Sequence, residues 1–484
     1  MRIAGLPSRT GIGLNFLTKD QLNLIHLATI HVLEKTGVGV YEAEAYRLLL
    51  DAGCTASGST VRIPEHLVAE ALKTAPKTVT LQGRGKGKTL RLEDKRVHFG
   101  LGSSTTNVID LETGERRLST KQDVGNAVRL ADALPNIDFV MSLCSALDTT
   151  KDVADRHEVE AMLTNTEKPI IAITFGREGA KDAIKMVRLV TGDEPKKAKP
   201  VITLYSEPIA PLQHDATYTG NLIEFAKAGL PVVYGPCDQA GATSPATLAG
   251  TLVQANAEVL SGLIIHQLVG RGAPFIYGVI SSIMDMKTTV MSYGAPEFTL
   301  INAGAAQIAQ LYGLPFFGTG GITDAKVADG QAVAEAALSL GMAALTGTNL
   351  IHDIGYVESG LTGCFEMIVI CDELAGMASR IIQGIEVNDE TLAVDVIDKV
   401  GPGGTFLAEE HTLEFFQREH WVPRLMNRQR RGPWSRSGGK DLMYLARETA
   451  MRILKEHQPT PLPEDLRKGI RKVVEEAEGK RKEV

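Results

Sequence analysis

From Val97 to about Thr362 the chain repeats one unit. A short apolar run closes on small polar residues, and a stretch with apolar positions at helical spacing follows. The runs are VHFGLGSS, DFVMSLCSALD, PIIAITFG, PVITLYSEPIAPL, PVVYGPCDQAGATSP, PFIYGVISS, PFFGTGGITDAK and NLIHDIGYVESG. Between them lie stretches such as KQDVGNAVRLADALP, YTGNLIEFAKAGL, LINAGAAQIAQLYGL and GQAVAEAALSLGMAAL. Short apolar runs bounded by turn residues predict buried strands, and the 3.6-residue period predicts helices. Several strands open after Gly-x-Pro or Lys-Pro (KPI, KPV, GLPV, GAPF, GLPF). A helix ending in Gly with Pro just beyond is a helix stop followed by a strand start. Eight such units in roughly 265 residues predict an α/β fold, the (β/α)8 TIM barrel. A doubly wound open sheet fits less well, because no phosphate-binding glycine fingerprint follows the first strand.

The flanks have a different texture. LTKDQLNLIHLATIHVLEKTG, YEAEAYRLLLDAG and PEHLVAEALKTAP predict helices, and KTVTLQGRGKGKTLRLEDKRVHFG alternates like short strands. After the last unit come further helices, a GPGG turn and the amphipathic EEHTLEFFQREHW. The basic cluster Arg428, Arg430, Arg431 and Arg436 follows in a Gly/Ser/Pro loop, and a charged tail predicts a surface helix. Three parts are therefore expected: an N-terminal helical and short-strand extension over 1–95, a barrel catalytic core over 96–365, and a C-terminal helical extension over 366–484 that packs on the barrel.

The formal charge of −7 argues against general nucleic-acid binding. Five scattered cysteines with no CxxC spacing predict no disulfide framework and a reducing compartment. The N-terminus lacks the apolar core of a signal peptide, and VLSGLIIHQLVG, the most apolar stretch, is too short to span a bilayer. A cytoplasmic protein without a membrane partner is expected.

Active sites of barrels lie at the C-terminal ends of the strands. The candidates there are Phe99 on the first strand, Tyr205 and Glu207 on the fourth, Asp238 after the fifth, and His352, Asp353, Tyr356 and Glu358 on the eighth. Each has an ordinary alternative. Phe99, Tyr205, Tyr234 and Tyr277 suit barrel filling, Cys237 a small buried residue, and Asp238 and Asp324 helix caps. Glu207 has less excuse, since it ends a strand before Pro208 and starts no helix. His352 sits inside an apolar run and needs partners if buried. The set is acidic and aromatic, and Lys326 is the one cation near it. A positively charged substrate suits carboxylates and aromatic faces. His352, Asp353, Glu207 and Asp238 could ligate a metal, but without HxH or HxxxH spacing no tightly bound metal is expected.

PFFGTGGITDAKVADGQAV, NLIHDIGYVESG and above all GPGGTFLAEEHTLEFFQREHWVPRLMNR resemble the trimethylamine methyltransferase superfamily, in particular its members without pyrrolysine. The resemblance covers nearly the whole chain. It implies a TIM barrel that transfers a methyl group from an amine to the cobalt of cob(I)alamin, a corrinoid carried by a separate cognate protein. Relatives without pyrrolysine, by the same implication, act on quaternary amines such as glycine betaine, proline betaine or carnitine. In that reading His352 lines the pocket on the corrinoid side and Asp353 orients it. Phe99, Tyr205 and Tyr356 form the cage, Glu207 and Glu358 contact the cation, and Asp238 adds to the acidic mouth. A homo-oligomer is expected, with the amphipathic ends as subunit contacts. The competing readings are a metal-dependent barrel lyase or decarboxylase, and a non-catalytic betaine-binding barrel.

Overall fold

A computed structural model of the chain describes residues 9–192 and 200–482. Part of the N-terminal stretch read for a signal peptide, residues 1–8, and Lys199 of the KPV strand start lie outside the described residues. Seven of the eight predicted strands form one curled parallel sheet: β1 (His98–Leu101), β2 (Ile170–Ala172), β3 (Ile202–Ser206), β4 (Val232–Tyr234), β5 (Phe275–Gly278), β6 (Phe316–Thr319) and β7 (Leu350–Ile354). Their order is β1-β7-β6-β5-β4-β3-β2, and every neighbour is parallel. The run DFVMSLCSALD forms no full strand. It contributes single bridges from Phe139 to Gly100 and from Val140 to Ile170, and so links the two edge strands. Leu143, at φ 60°, then turns the chain out of extended geometry.

Helices follow the strands and cover the outer face of the sheet. Their ends bear out the Gly-x-Pro punctuation. The helices Ala216–Ala228 and Pro296–Tyr312 stop on Gly229 and Gly313, left-handed at φ 66° and 64°, and Leu-Pro then starts the next strand. Helix Phe365–Ile382 packs beside Gly330–Thr346 and Lys121–Ala133. It thus joins the helical layer.

Strand parity separates two cores. Phe139, Ile171, Tyr205, Val233, Ile276, Phe317 and Leu350 point inward and form one apolar cluster. The hairpin Val79–Gln82/Thr89–Leu92 gives Val79, Leu81, Leu90 and Leu92 to the same cluster. It closes the N-terminal edge, where the Gln82 amide donates to Pro200 O. Alternate residues such as Leu204, Tyr234, Tyr277 and Ile351 pack outward against the helices.

The helix Leu248–Val269 is long and apolar enough by composition to cross a membrane, yet 72% of its most apolar window is buried inside the fold. It packs on Lys19–His31 and Glu65–Thr74 of the N-terminal extension, so its apolarity reflects burial on all sides. The extension also reaches the loop after β3. Its strand Val38–Val40 pairs in parallel with Gln213–His214, and Arg177 ties Glu42 and Glu44 to Glu224. All five cysteines are free.

Candidate active site

The C-terminal end of the inner core is built chiefly from β3 and β7. On β3, Tyr205 and Glu207 share the inward parity, and the Tyr205 hydroxyl donates to Glu207 Oε2 at 2.9 Å. On β7 regular alternation would send His352 inward and Asp353 outward. The pairing of β7 with β1 instead slips between Ile351 and Ile354, and Asp353 adopts φ 77°. This bulge turns two consecutive residues to the same side. Asp353 Oδ1 then lies 3.2 Å from His352 Nε2. The turn also needs Gly102 on the facing segment. A Cβ there would stand 2.3 Å from the Tyr356 ring and 2.7 Å from Asp353 Oδ1.

The proton positions follow from the partners. His352 Nδ1 lies 2.8 Å from Gly318 O, which can only accept, so Nδ1 carries the proton. The ring stacks on Phe317 with centroids 3.9 Å apart. Burial pushes the imidazole down to about 3 and the Asp353 carboxyl well above its usual range. Both shifts favour the neutral forms of the pair. Burial also raises Glu207, against the opposing effect of the Tyr205 hydroxyl and with help from Asp215.

Tyr356 donates its hydroxyl to Ser103 O, which fixes the ring between β1 and the loop after β7. Two more residues complete the group: Cys237, read from the sequence as a small buried residue, and Tyr293, which sequence reasoning passed over. Cys237 Sγ lies 3.5 Å from the Tyr293 hydroxyl, and burial lifts the thiol to about 12. Tyr293 comes from a hairpin, Ser282–Asp285/Val290–Ser292, inserted after β5. Asp324 holds that hairpin: it accepts from Ser292 Oγ, Tyr293 N, Gly294 N and Ser359 Oγ. The expected helix-cap role of Asp324 is thereby corrected, since Asp329 caps the following helix. An alternation count along PFFGT could have found Phe317. The bulge and the hairpin leave no comparable mark.

Three candidates stand elsewhere. Phe99 packs in the outer core, with the Arg9 guanidinium 5.9 Å from its ring centroid, so it faces away from the inner cluster. Asp238 is fully buried against the helix Leu248–Val269. It accepts from Gln254 Nε2 and Ser281 Oγ, its carboxyl is pushed up to about 7 by burial, and the same Gln254 amide also donates to Glu258. It caps no helix either, since Thr247 precedes that helix. Glu358 lies on the rim, ionised and engaged by Arg116 and Thr362. What converges is Tyr205, Glu207, Cys237, Tyr293, His352, Asp353 and Tyr356. This wall of buried carboxyls and aromatic rings has no cationic side chain bonded to Glu207 or Asp353 among the described residues.

The sequence from residue 5 to residue 482 matches the family model described as trimethylamine methyltransferase (MTTB). The chain belongs to the trimethylamine methyltransferase family. It is 38% identical to "Trimethylamine methyltransferase MttB" of Desulfitobacterium hafniense DCB-2, over 98% of this chain and 96% of that protein. It is 35% identical to the protein of the same name from Methanosarcina barkeri, over 98% of each. It is 32% identical to "Glycine betaine methyltransferase" of Desulfitobacterium hafniense Y51, over 87% of this chain and 88% of that protein. Among solved structures, the crystal structure of the Methanosarcina barkeri monomethylamine methyltransferase aligns with TM-score 0.52 and 12% identity, covering 91% of this chain and 88% of that one. That likeness is one of fold. As a member of this family the chain is an enzyme that transfers methyl groups.

Proposed function

We propose that this member of the family takes its methyl group from a quaternary amine of the betaine class and passes it to cob(I)alamin on a separate corrinoid protein in the cytoplasm. The carrying observation is the pair of buried carboxyls, Glu207 and Asp353, set among Tyr205, Tyr293 and Tyr356 without a bonded cation. A quaternary ammonium supplies the missing charge, and aromatic faces add roughly 0.5–2 kcal/mol each when desolvated. The likeness to a glycine betaine methyltransferase supports the same substrate class. The bridges through Phe139 and Val140 support reading the curled sheet as a closed eight-stranded barrel with this site at its mouth.

The chemistry asks little of an acid or base. The N–CH3 bond breaks with its electrons going to nitrogen, and a neutral tertiary amine leaves without needing a proton. Cob(I)alamin supplies the electron pair for the new bond. The chain's own residues bind and align. Glu207, ionised once the ammonium is present, fixes the nitrogen. Tyr205 holds Glu207. His352 stays neutral, so it adds no repulsion to the cation. The loops that follow the strands expose apolar side chains: Leu147, Phe175, Ile209, Met286, Val327 and Leu361. Such side chains suit the docking of a protein partner.

The test is methyl transfer to free cob(I)alamin, followed by its visible spectrum, with glycine betaine, proline betaine, carnitine, γ-butyrobetaine, choline and trimethylamine. A methylcobalamin spectrum with a quaternary amine is expected. Turnover of trimethylamine alone, or tight betaine binding without turnover in the system reconstituted with its corrinoid protein, overturns the proposal.

A further inference from the structure

Residues 381–422, under a tenth of the chain, hold eleven of the 31 exposed large apolar side chains found among the described residues. They include Ile385 at 85% exposure, Val387 at 71%, Leu407 at 88%, Leu413 at 73% and Val422 at 68%. A monomer rarely leaves so dense an apolar surface uncovered. The segment starts at the end of helix Phe365–Ile382, forms the short helices Asp389–Leu392, Val394–Val400 and Glu410–Glu419, and buries little beyond Phe415. A groove of about 640 Å3 opens between these helices, with Leu392, Val394 and Phe415 among its lining.

Charge says what covers it. From Gly384 to Val422 there are nine carboxylates and two lysine or arginine side chains; from Pro423 to Lys440 there are six such cations and no carboxylate. The groove alone is lined by Asp389, Glu390, Asp395, Glu409, Glu410 and Glu414 against Lys399. The basic stretch that follows in sequence is mostly exposed. Among the described residues Arg428, Arg430, Arg431 and Arg436 pair with no carboxylate, and Arg428 and Arg431 rest on the rings of Trp421 and Trp434. One chain thus carries an acidic apolar groove and, next in sequence, a basic strap without carboxylate partners among the described residues. A two-fold contact is self-complementary in this way, each copy presenting both halves.

We propose that the acidic groove formed by residues 389–415 receives the basic strap Arg428–Arg436 of a second copy of this chain, and that the exchange makes a two-fold dimer. The root of the arm lies away from the mouth. Asp372, on the helix that leads into it, accepts from the Asn136 amide at the N-terminal edge of the sheet, so an acceptor protein seated on the strand-end loops does not need this surface.

The test is sedimentation of the full-length protein, wild type and charge variants, at low and high salt. The wild type is expected to be dimeric or a multiple of dimers, with association weakened by salt. Arg430→Glu with Arg431→Glu, and separately Glu410→Lys with Glu414→Lys, should each weaken self-association at least tenfold while methylation of free cob(I)alamin persists. Mixing the two variants should restore the dimer, because the reversed strap meets the reversed groove and the unchanged strap meets the unchanged groove. A wild type that stays monomeric at tens of micromolar refutes the proposal. So does a dimer indifferent to both variants, or loss of corrinoid-protein binding without any change in self-association.

Discussion

Replacing Glu207 with Gln removes one negative charge and little else. The amide oxygen can still accept the Tyr205 hydroxyl that now donates to Oε2 at 2.9 Å, so the wall keeps its shape. A carboxylate about 4 Å from a unit positive charge contributes roughly 4 kcal/mol at an effective dielectric of about 20. Dehydrating the carboxylate offsets part of that, as its raised pKa indicates. A net loss of the order of 2 kcal/mol remains, about thirtyfold in the substrate dissociation constant. The loss should fall unevenly on the kinetic constants. The ammonium loses its charge as the C–N bond breaks, so the carboxylate holds the bound substrate more firmly than the transition state. E207Q should therefore raise KM by about thirtyfold, lower kcat/KM by about fivefold to tenfold, and leave kcat undiminished. Calorimetric titration with the betaine gives the first figure and cob(I)alamin methylation the others. The thermal midpoint should not fall, since an ionisable group has left a buried site. Unchanged affinity and unchanged kcat/KM would refute the assignment of Glu207 to the cation.

Other perturbations test the surrounding geometry. Gly102→Ala drives a methyl group into the Tyr356 ring and Asp353; it should cost roughly 1–3 kcal/mol in stability and more than tenfold in turnover, measured by denaturant unfolding and the methyl-transfer assay. Binding a quaternary amine, which cannot itself titrate, should release protons from the raised carboxyls Glu207 and Asp353 and tighten as pH rises. Binding enthalpies in two buffers of different ionisation heat check this, and equal enthalpies would count against it. His352→Ala unstacks Phe317 and frees the Gly318 carbonyl. It should lower demethylation well over tenfold in a protein with an unaltered circular-dichroism spectrum. Glu158 is buried, bonded to the Ala146 amide and pushed up from 4.5 to about 8. With its folded pKa raised, the folded state keeps a proton that the unfolded chain loses. Stability should thus fall as pH rises from 4.5 to 8, by at most about 1.4 kcal/mol per pH unit, and Glu158→Gln should flatten that slope in urea unfolding curves.

What the sequence made legible was periodic. Runs of inward and outward residues, stopped by Gly and restarted by Pro, mark seven sheet strands and most of their helices, because hydrophobic period and helix-stop chemistry are local. The Phe139 region misleads for the same reason: its apolar run is strand-like, yet it makes isolated bridges and no continuous ladder. At the site, Glu207 and His352 stood out as charges with no local excuse. Phe99 was misplaced because strand parity depends on register with β7, which lies some 250 residues away. The shared direction of His352 and Asp353 depends on a bulge in that same strand against β1. Asp238 looked like a mouth residue because the sequence does not show that Glu258, on a helix, lies against it. Tyr293 was hidden within a hairpin insertion whose anchor, Asp324, resembles an ordinary cap.

The pairing of Val38–Val40 with Gln213–His214 has a consequence for how the enzyme comes into being. The strand Val38–Val40 is synthesised some 170 residues before its partner. Until that partner arrives, the edge of Val38–Val40 that receives the loop after Glu207 stays unpaired. Closing so long a loop carries a high entropic barrier and belongs late in folding. The candidate-site wall on that side is then among the last parts to set, and a nascent chain stalled before residue 214 would lack β4 to β7 and with them His352 and Asp353.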